Sequence, residues 1–384
     1  MWYLQVDTLL WILASTLLYA ALAAVVGRLR PGQRLTPLLL AFDLALLIYV
    51  SPQLAAFYVV YTVATWLLLR ILGAVKGKSV RKGLFVVFCV LCASPFLYAR
   101  AALLLPALPA VFTLVGMAYN MLKAIDGVFY VYYADKRIPL IAYANFILYF
   151  PVMTAGPILR YRDFEKYYLH PKAVTAEAAT EGVKRFIRGL FKKMVLAALL
   201  GMVLERLTAA RACLLVSLAT LACSYLLLYF DLSGYSDLAI AVGSFTGFVL
   251  PENFKQPWTA ASFTQFWRKW HVTLSDWIRE HIFVVVNGKR LNRWLGALIG
   301  VCTMVVMSLW HEFSVATVVD GLFMGAFLAI ENIFSLTTVD KRKTPKPVYF
   351  LRCAAVTFFF AVNTLFFSVG AEQIGVVLKG LFRL

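Results

Sequence analysis

Uninterrupted apolar runs recur along this chain, among them Leu9 to Val26, Leu35 to Val50, Leu54 to Val75 and Val348 to Val369, and short loops rich in glycine, proline and basic residues separate them. Each approaches the roughly 20 residues a helix needs to cross a hydrocarbon core about 30 Å thick. Barrel strands would alternate in polarity, so helices must carry the spans. The expected fold class is all-α, a polytopic transmembrane helical bundle of about eleven helices with residues 1–384 as one membrane domain. A hydrophobic content of 62% and a mean hydropathy of +0.80 exclude an ordinary soluble domain.

The formal charge of +18 could suggest nucleic acid, but the basic residues sit in loops such as Gly27–Arg34, Lys76–Gly83 and Asp340–Lys346, not in one patch. That is the positive-inside pattern, which places these loops in the cytoplasm and the N-terminus outside. It implies a multi-pass protein with membrane lipids, and no nucleic acid, as its surroundings. The first apolar run lacks a basic leader and a cleavage site, so it reads as a retained helix. Thr175 to Lys193 is amphipathic, with Val183, Phe186, Ile187, Leu190 and Phe191 on one face and Lys184, Arg185, Arg188 and Lys192 on the other. Such a helix is expected along the cytoplasmic interface. The six cysteines are scattered through apolar stretches, and Cys89 and Cys92 read as small buried side chains.

Polar residues break the apolar pattern most between Asp231 and Asp320. His311 joins two apolar segments, Leu295–Trp310 and Phe313–Phe334. An imidazole in such a place is costly to hold and suits a general base, which desolvation would keep neutral. His271 falls on an expected aromatic helix, Phe263 to His281, where Trp267, Trp270, Leu274 and Ile278 share its face; packing or a substrate wall would both produce this stripe. His271 and Asp276 also match an HxxxxD pattern, but residues five apart on a helix diverge, and Asp276 is better placed to pair with Arg279. Asp237 is expected to start a span and to cap it, or to pair with Arg268 or Arg279. His170 and His281 read as solvated side chains. No metal-binding spacing occurs, and no serine-hydrolase, P-loop or zincin motif. Asp43, Asp126, Asp320 and Glu331 are the acids a proton-coupled transporter could use, so a transporter or flippase for a lipid-linked precursor is the alternative reading.

Five motifs follow one another: Gly156-Pro-Ile-Leu-Arg-Tyr-Arg-Asp-Phe164, Gly234-Tyr-Ser-Asp237, Pro251-Glu-Asn-Phe254, Phe266-Trp-Arg-Lys-Trp-His-Val-Thr-Leu-Ser275 and Leu309-Trp-His311. In order and spacing they resemble the membrane-bound O-acyltransferase superfamily in its bacterial branch, with residues 156–320 as the motif-bearing core. The resemblance implies a funnel through the bundle and acyl transfer to a hydroxyl of an exported envelope polymer. His311 would be the general base and His271 would line the donor entrance. Trp267, Trp270, Ser275, Arg279, Trp310, Asp237 and Asn253 would contact substrate. It implies no tightly bound cofactor. The donor would be a thioester on the cytoplasmic side, carried by an acyl carrier protein (phosphopantetheine) or as acetyl-CoA, and an extracytoplasmic acyl-transfer partner protein could assist. The location implied is the bacterial cytoplasmic (inner) membrane. Chain length favours the teichoic-acid D-alanyl transfer subgroup slightly; Val285–Arg290 partly matches an alginate O-acetylation loop. Glu312 stands where both subgroups commonly have glycine.

Overall fold

The computed structural model describes residues 6–29, 35–105, 115–287 and 292–383, and every regular element among them is helical. In order these are α1 (Val6–Leu29), α2 (Thr36–Val50), α3 (Pro52–Ala74), α4 (Lys78–Leu104), α5 (Met117–Ala134), α6 (Leu140–Leu148), α7 (Tyr161–Leu169) and α8 (Ala176–Leu190). They continue as α9 (Ala197–Ala209), α10 (Leu214–Phe245), the short α11 (Phe263–Trp267), α12 (Val272–Ile278) and α13 (Val284–Asn287), then α14 (Arg293–His311), α15 (Val315–Ile333), α16 (Lys346–Ser368) and α17 (Ala371–Gly380). Among the described residues seven helices, α1, α3, α4, α10, α14, α15 and α16, are long and apolar enough to cross a membrane; α2 is a shorter apolar helix. Pro106, Pro109, most of the first basic loop and residues 288–291, including Lys289 and Arg290, lie outside the described residues.

Three segments differ from the sequence expectation. In the sequence Leu84 to Leu97 and Ala101 to Met117 read as two apolar segments divided at Arg100, but α4 runs through Arg100 as one helix with Pro95 inside it. In the sequence Ile138 to Val152 reads as a span, but α6 has only 9 residues and is followed by a 3-10 turn at Phe150–Val152. Asp231–Asp237 does not separate two spans, since α10 continues through it for 32 residues. Its carboxylates are tolerated because each has a basic partner. Asp231 accepts from Lys193, and Asp237 pairs with Arg185 at 2.9 Å.

The chain forms two compact units. The first comprises Met1–Ile187 and Asp237–Pro251. Here Lys123, almost fully buried, donates to the carbonyls of Phe146 (3.2 Å) and Ile147 (3.0 Å), supplying donors to the unpaired end of α6. Asp126 accepts from the Tyr161 N–H at 2.6 Å, and Tyr149 shares a hydrogen bond of 2.7 Å with Thr246. Gly156, immediately before Pro157, has a φ of +91°, a region glycine enters at little cost. The amphipathic α8 divides differently from its sequence pattern. Phe186 turns inward beside Gly182, Arg185 reaches Asp237, and Val183 and Ile187 are exposed.

The second unit comprises Arg188–Ser236 and Glu252–Leu384. Its frame is the hairpin of α14 and α15. A Cβ on Gly321 would stand 2.5 Å from the Val305 Cα, and one on Gly325 2.8 Å from the Val301 Cα, so the backbones touch where only glycine fits. Ser314 caps α15 by accepting from the Thr317 N–H at 3.2 Å, while the Thr317 hydroxyl receives the Ser314 N–H. Phe266, Trp267 and Trp270 gather around Phe360 of α16, and Phe254 packs on Trp270.

Candidate active site

All the groups of this site belong to the second unit. The segment expected as one helix from Phe263 to His281 is broken at His271. Its backbone sits in the left-handed region at φ 45° and ψ 50°, with α11 ending before it and α12 starting after it. A non-glycine residue rarely adopts this conformation unless its surroundings enforce it. The enforcing contact is Asn253 in the Pro-Glu-Asn-Phe loop. Its carbonyl accepts from the Val272 N–H at 2.9 Å, and its Oδ1 accepts from the Thr273 hydroxyl (2.9 Å) and N–H (3.3 Å). Its Nδ2 donates to Ser236 at 3.3 Å. The start of α11 is fixed separately by the buried Glu331, whose carboxylate accepts from the N–H groups of Phe263 (2.6 Å) and Thr264 (2.8 Å) and from the Thr264 hydroxyl (2.7 Å). Held from both sides, His271 is only 6% exposed, and its Nδ1 has no hydrogen-bond partner. Burial, and after it the nearness of the His311 imidazole, pushes its own imidazole down to about 3, so it is neutral at ordinary pH.

His311 is the last residue of α14. It is exposed rather than desolvated, contrary to the sequence expectation, because the helix stops there and the chain reverses through Glu312. Its ring meets Trp310 (4.8 Å between centroids) and Phe367 of α16 (5.4 Å). One turn earlier Ser308 donates to the buried Asp320 at 2.6 Å, tying the end of α14 to α15. His271 and His311 thus come from separate elements and lie within electrostatic reach of each other.

The other expected residues fare differently. Trp270 packs on Phe254 (5.1 Å), Phe266 (5.7 Å) and Phe360 (4.7 Å), and Trp267 meets Phe360 at 5.8 Å with its Nε1 buried and unpartnered. Ser275 is half-buried, its hydroxyl 3.5 Å from the Trp270 carbonyl. Arg279 is largely exposed and pairs with Asp276 at 2.8 Å, the pairing the sequence favoured over the HxxxxD reading. Asp237 does not start a span; it lies inside α10 and pairs with Arg185. His281 is buried rather than solvated, stacked on Trp277 at 4.2 Å with Nδ1 2.8 Å from the Trp277 carbonyl. His170 is exposed. Asp126, Asp320 and Glu331 are engaged in the hydrogen bonds above, which gives these acids a structural explanation that a transporter reading does not need to supply. Arg185, Lys193 and the anchoring role of Glu331 were missed; a buried acid in an apolar helix signals a partner but does not say where it is.

An all-helical, multi-span protein carrying two histidines on an aromatic wall defines a class: an integral, multi-pass membrane protein with a polar site built into it. Residues 128–368 match the family model of the membrane-bound O-acyltransferases, and the chain belongs to that family. It is 34% identical over 234 residues to the probable alginate O-acetylase AlgI of Pseudomonas fluorescens, covering 60% of this chain and 47% of the relative. It is 30% identical over 254 residues to a peptidoglycan O-acetyltransferase of Helicobacter pylori, covering 63% and 46%. A teichoic acid D-alanyltransferase of Streptococcus thermophilus is 27% identical over 312 residues, 75% of this chain and 72% of that protein. The chain spans about half the length of the O-acetylating relatives it matches.

Proposed function

We propose that this protein moves an acetyl or D-alanyl group from a thioester donor on the cytoplasmic side of the bacterial inner membrane to a hydroxyl of an exported envelope polymer. The observation that carries the reading is the pairing of a buried, neutral His271 with an exposed His311 on one aromatic wall, in a member of this family. An exposed imidazole at a helix end is open to a hydroxyl, and neutral imidazole is the form that removes a proton. His311 takes the acceptor's proton as its oxygen bonds to the thioester carbonyl carbon. The tetrahedral adduct then collapses, the carbon–sulfur bond breaks, and the leaving thiolate regains the proton from His311. His271, uncharged, shapes the donor entrance beside Trp267 and Trp270 without repelling or trapping charge. An acyl carrier protein or acyl-CoA supplies the donor, and a partner outside the membrane relays the acyl group where the acceptor lies beyond reach. Relatives named for O-acetylation and for D-alanylation support both acyl groups.

The test is mild-base release of ester-linked acyl groups from cell envelopes of wild-type, deletion and His311→Ala strains. The expected result is loss of acetate or D-alanine in both mutants while the variant protein remains in the membrane. Full ester content in the His311→Ala strain would show that His311 is structural.

A further inference from the structure

The α16 face that touches both ends of the site carries one unpaired polar group that the mechanism above does not use. Phe360 packs against Trp267 and Trp270, and Phe367, seven residues on, packs against His311. Asn363 and Thr364 lie between them on the same face, both buried. Thr364 satisfies itself by donating to the Ala361 carbonyl at 2.7 Å. Asn363 does not: it is 4% exposed, and its Oδ1 is buried with no hydrogen-bond partner. A buried amide acceptor left unpaired in a membrane-spanning helix is costly, and such residues mark ligand pathways. Two other unpartnered polar atoms, the Trp267 Nε1 and the Tyr225 hydroxyl, belong to side chains whose rings pack on the same Phe360.

We propose that Asn363 is a donor-binding residue whose Oδ1 accepts a hydrogen bond from the first amide N–H of a pantetheine-type thioester arm while the thioester carbon lies at His311. The inference rests on the acyl-transfer reading and names the part of the donor the protein grips. Length supports it. From Asn363 to Phe367, the residue touching His311, α16 rises about 6 Å. From a thioester carbon to the first amide nitrogen of such an arm is four bonds, on the order of 5 Å when extended. The direction agrees as well, since the arm then runs past Asn363 toward Phe360 and the Trp267–Trp270 end, where the donor was reasoned to enter. An apolar chain would leave the Asn363 oxygen unpaired, whereas an amide-bearing arm satisfies it.

The experiment uses inverted membrane vesicles from the deletion strain expressing the full chain, closed around that strain's unacylated envelope polymer so that the acceptor lies in the lumen and the donor is added outside. Two radiolabelled probes carry the acyl group identified by base release: its N-acetylcysteamine thioester, and the analogue in which an ester oxygen replaces the amide N–H. Wild-type vesicles are expected to prefer the amide probe about tenfold, the worth of one hydrogen bond. Asn363→Leu and Asn363→Ala are expected to bring that ratio close to one. The ratio is internal to each vesicle preparation, so a lower amount of variant protein does not alter it. A wild type that does not favour the amide probe, or variants that keep the preference, overturns the inference. Absence of label from the polymer with wild-type vesicles and either probe instead overturns the acyl-transfer reading, and label incorporated by His311→Ala vesicles, where Asn363 is intact, overturns the role of His311; this inference, which places the thioester carbon there, falls with either.

Discussion

His271 is neutral because it is buried, and that gives it a sign in the stability of the whole protein. Its imidazole is pushed down to about 3, so between the ordinary histidine value near 6.5 and about 3 the unfolded chain takes up a proton that the folded one refuses. Folding stability from this residue is therefore complete above pH about 6.5 and declines as the pH falls toward 3, by a few kcal/mol at most. Thermal unfolding in detergent is expected to show the midpoint dropping from pH 7 to pH 5. His271→Asn, which cannot titrate and tolerates the left-handed backbone, is expected to flatten that drop; an equal slope in the variant would assign the acid sensitivity to other groups. The residue itself was legible in the sequence as an expensive histidine among aromatics. Its conformation was not, because Asn253, which sets it, lies in another loop and periodicity carries no record of such a contact.

Helices are set in place here by glycine contacts and by buried ion pairs. At Gly321 an added methyl group would meet the Val305 backbone at 2.5 Å, so Gly321→Ala must push α15 away from α14. The expected cost is roughly 1–3 kcal/mol. Because the Ser308–Asp320 bond crosses the same contact, the end of α14 and His311 should shift with it, lowering the proposed acyl transfer. Gly201→Ala in α9 is the control: nothing lies within 4 Å of its added Cβ, so stability should be unchanged or gain about 0.5–1 kcal/mol. A paired thermal-unfolding and transfer measurement on the two variants decides this. Element boundaries were legible where turn chemistry marks them, as at Ser51, whose hydroxyl caps α3, and at Gly156–Pro157. They were misread at Asp231 and Asp237. The partners that let α10 run on, Lys193 and Arg185, lie 38 and 52 residues away, too far for local pattern to reveal.

At the scale of the whole molecule the membrane supplies most of the organisation, and the apolar runs announced it plainly. All six cysteines are free, and the two of the CxxC sit in α4, with Cys92 fully buried. A chain with all six replaced by alanine or valine should keep most of the proposed acyl transfer, checked by base release from the complemented deletion strain; loss of transfer with the protein still in the membrane would give a thiol a part in the chemistry. The count of spans was the least legible property, since a run of apolar residues fits a short buried helix such as α6 as well as a crossing one. α10 raises a different matter. Its 32 residues extend about 48 Å, against a hydrocarbon core of about 30 Å. A rod of that length must lean or stand proud of the bilayer, and the strain of either choice depends on lipid chain length. Membrane thickness is thus a variable in this protein's energetics, and an envelope that remodels its lipids also adjusts how comfortably the protein sits in them.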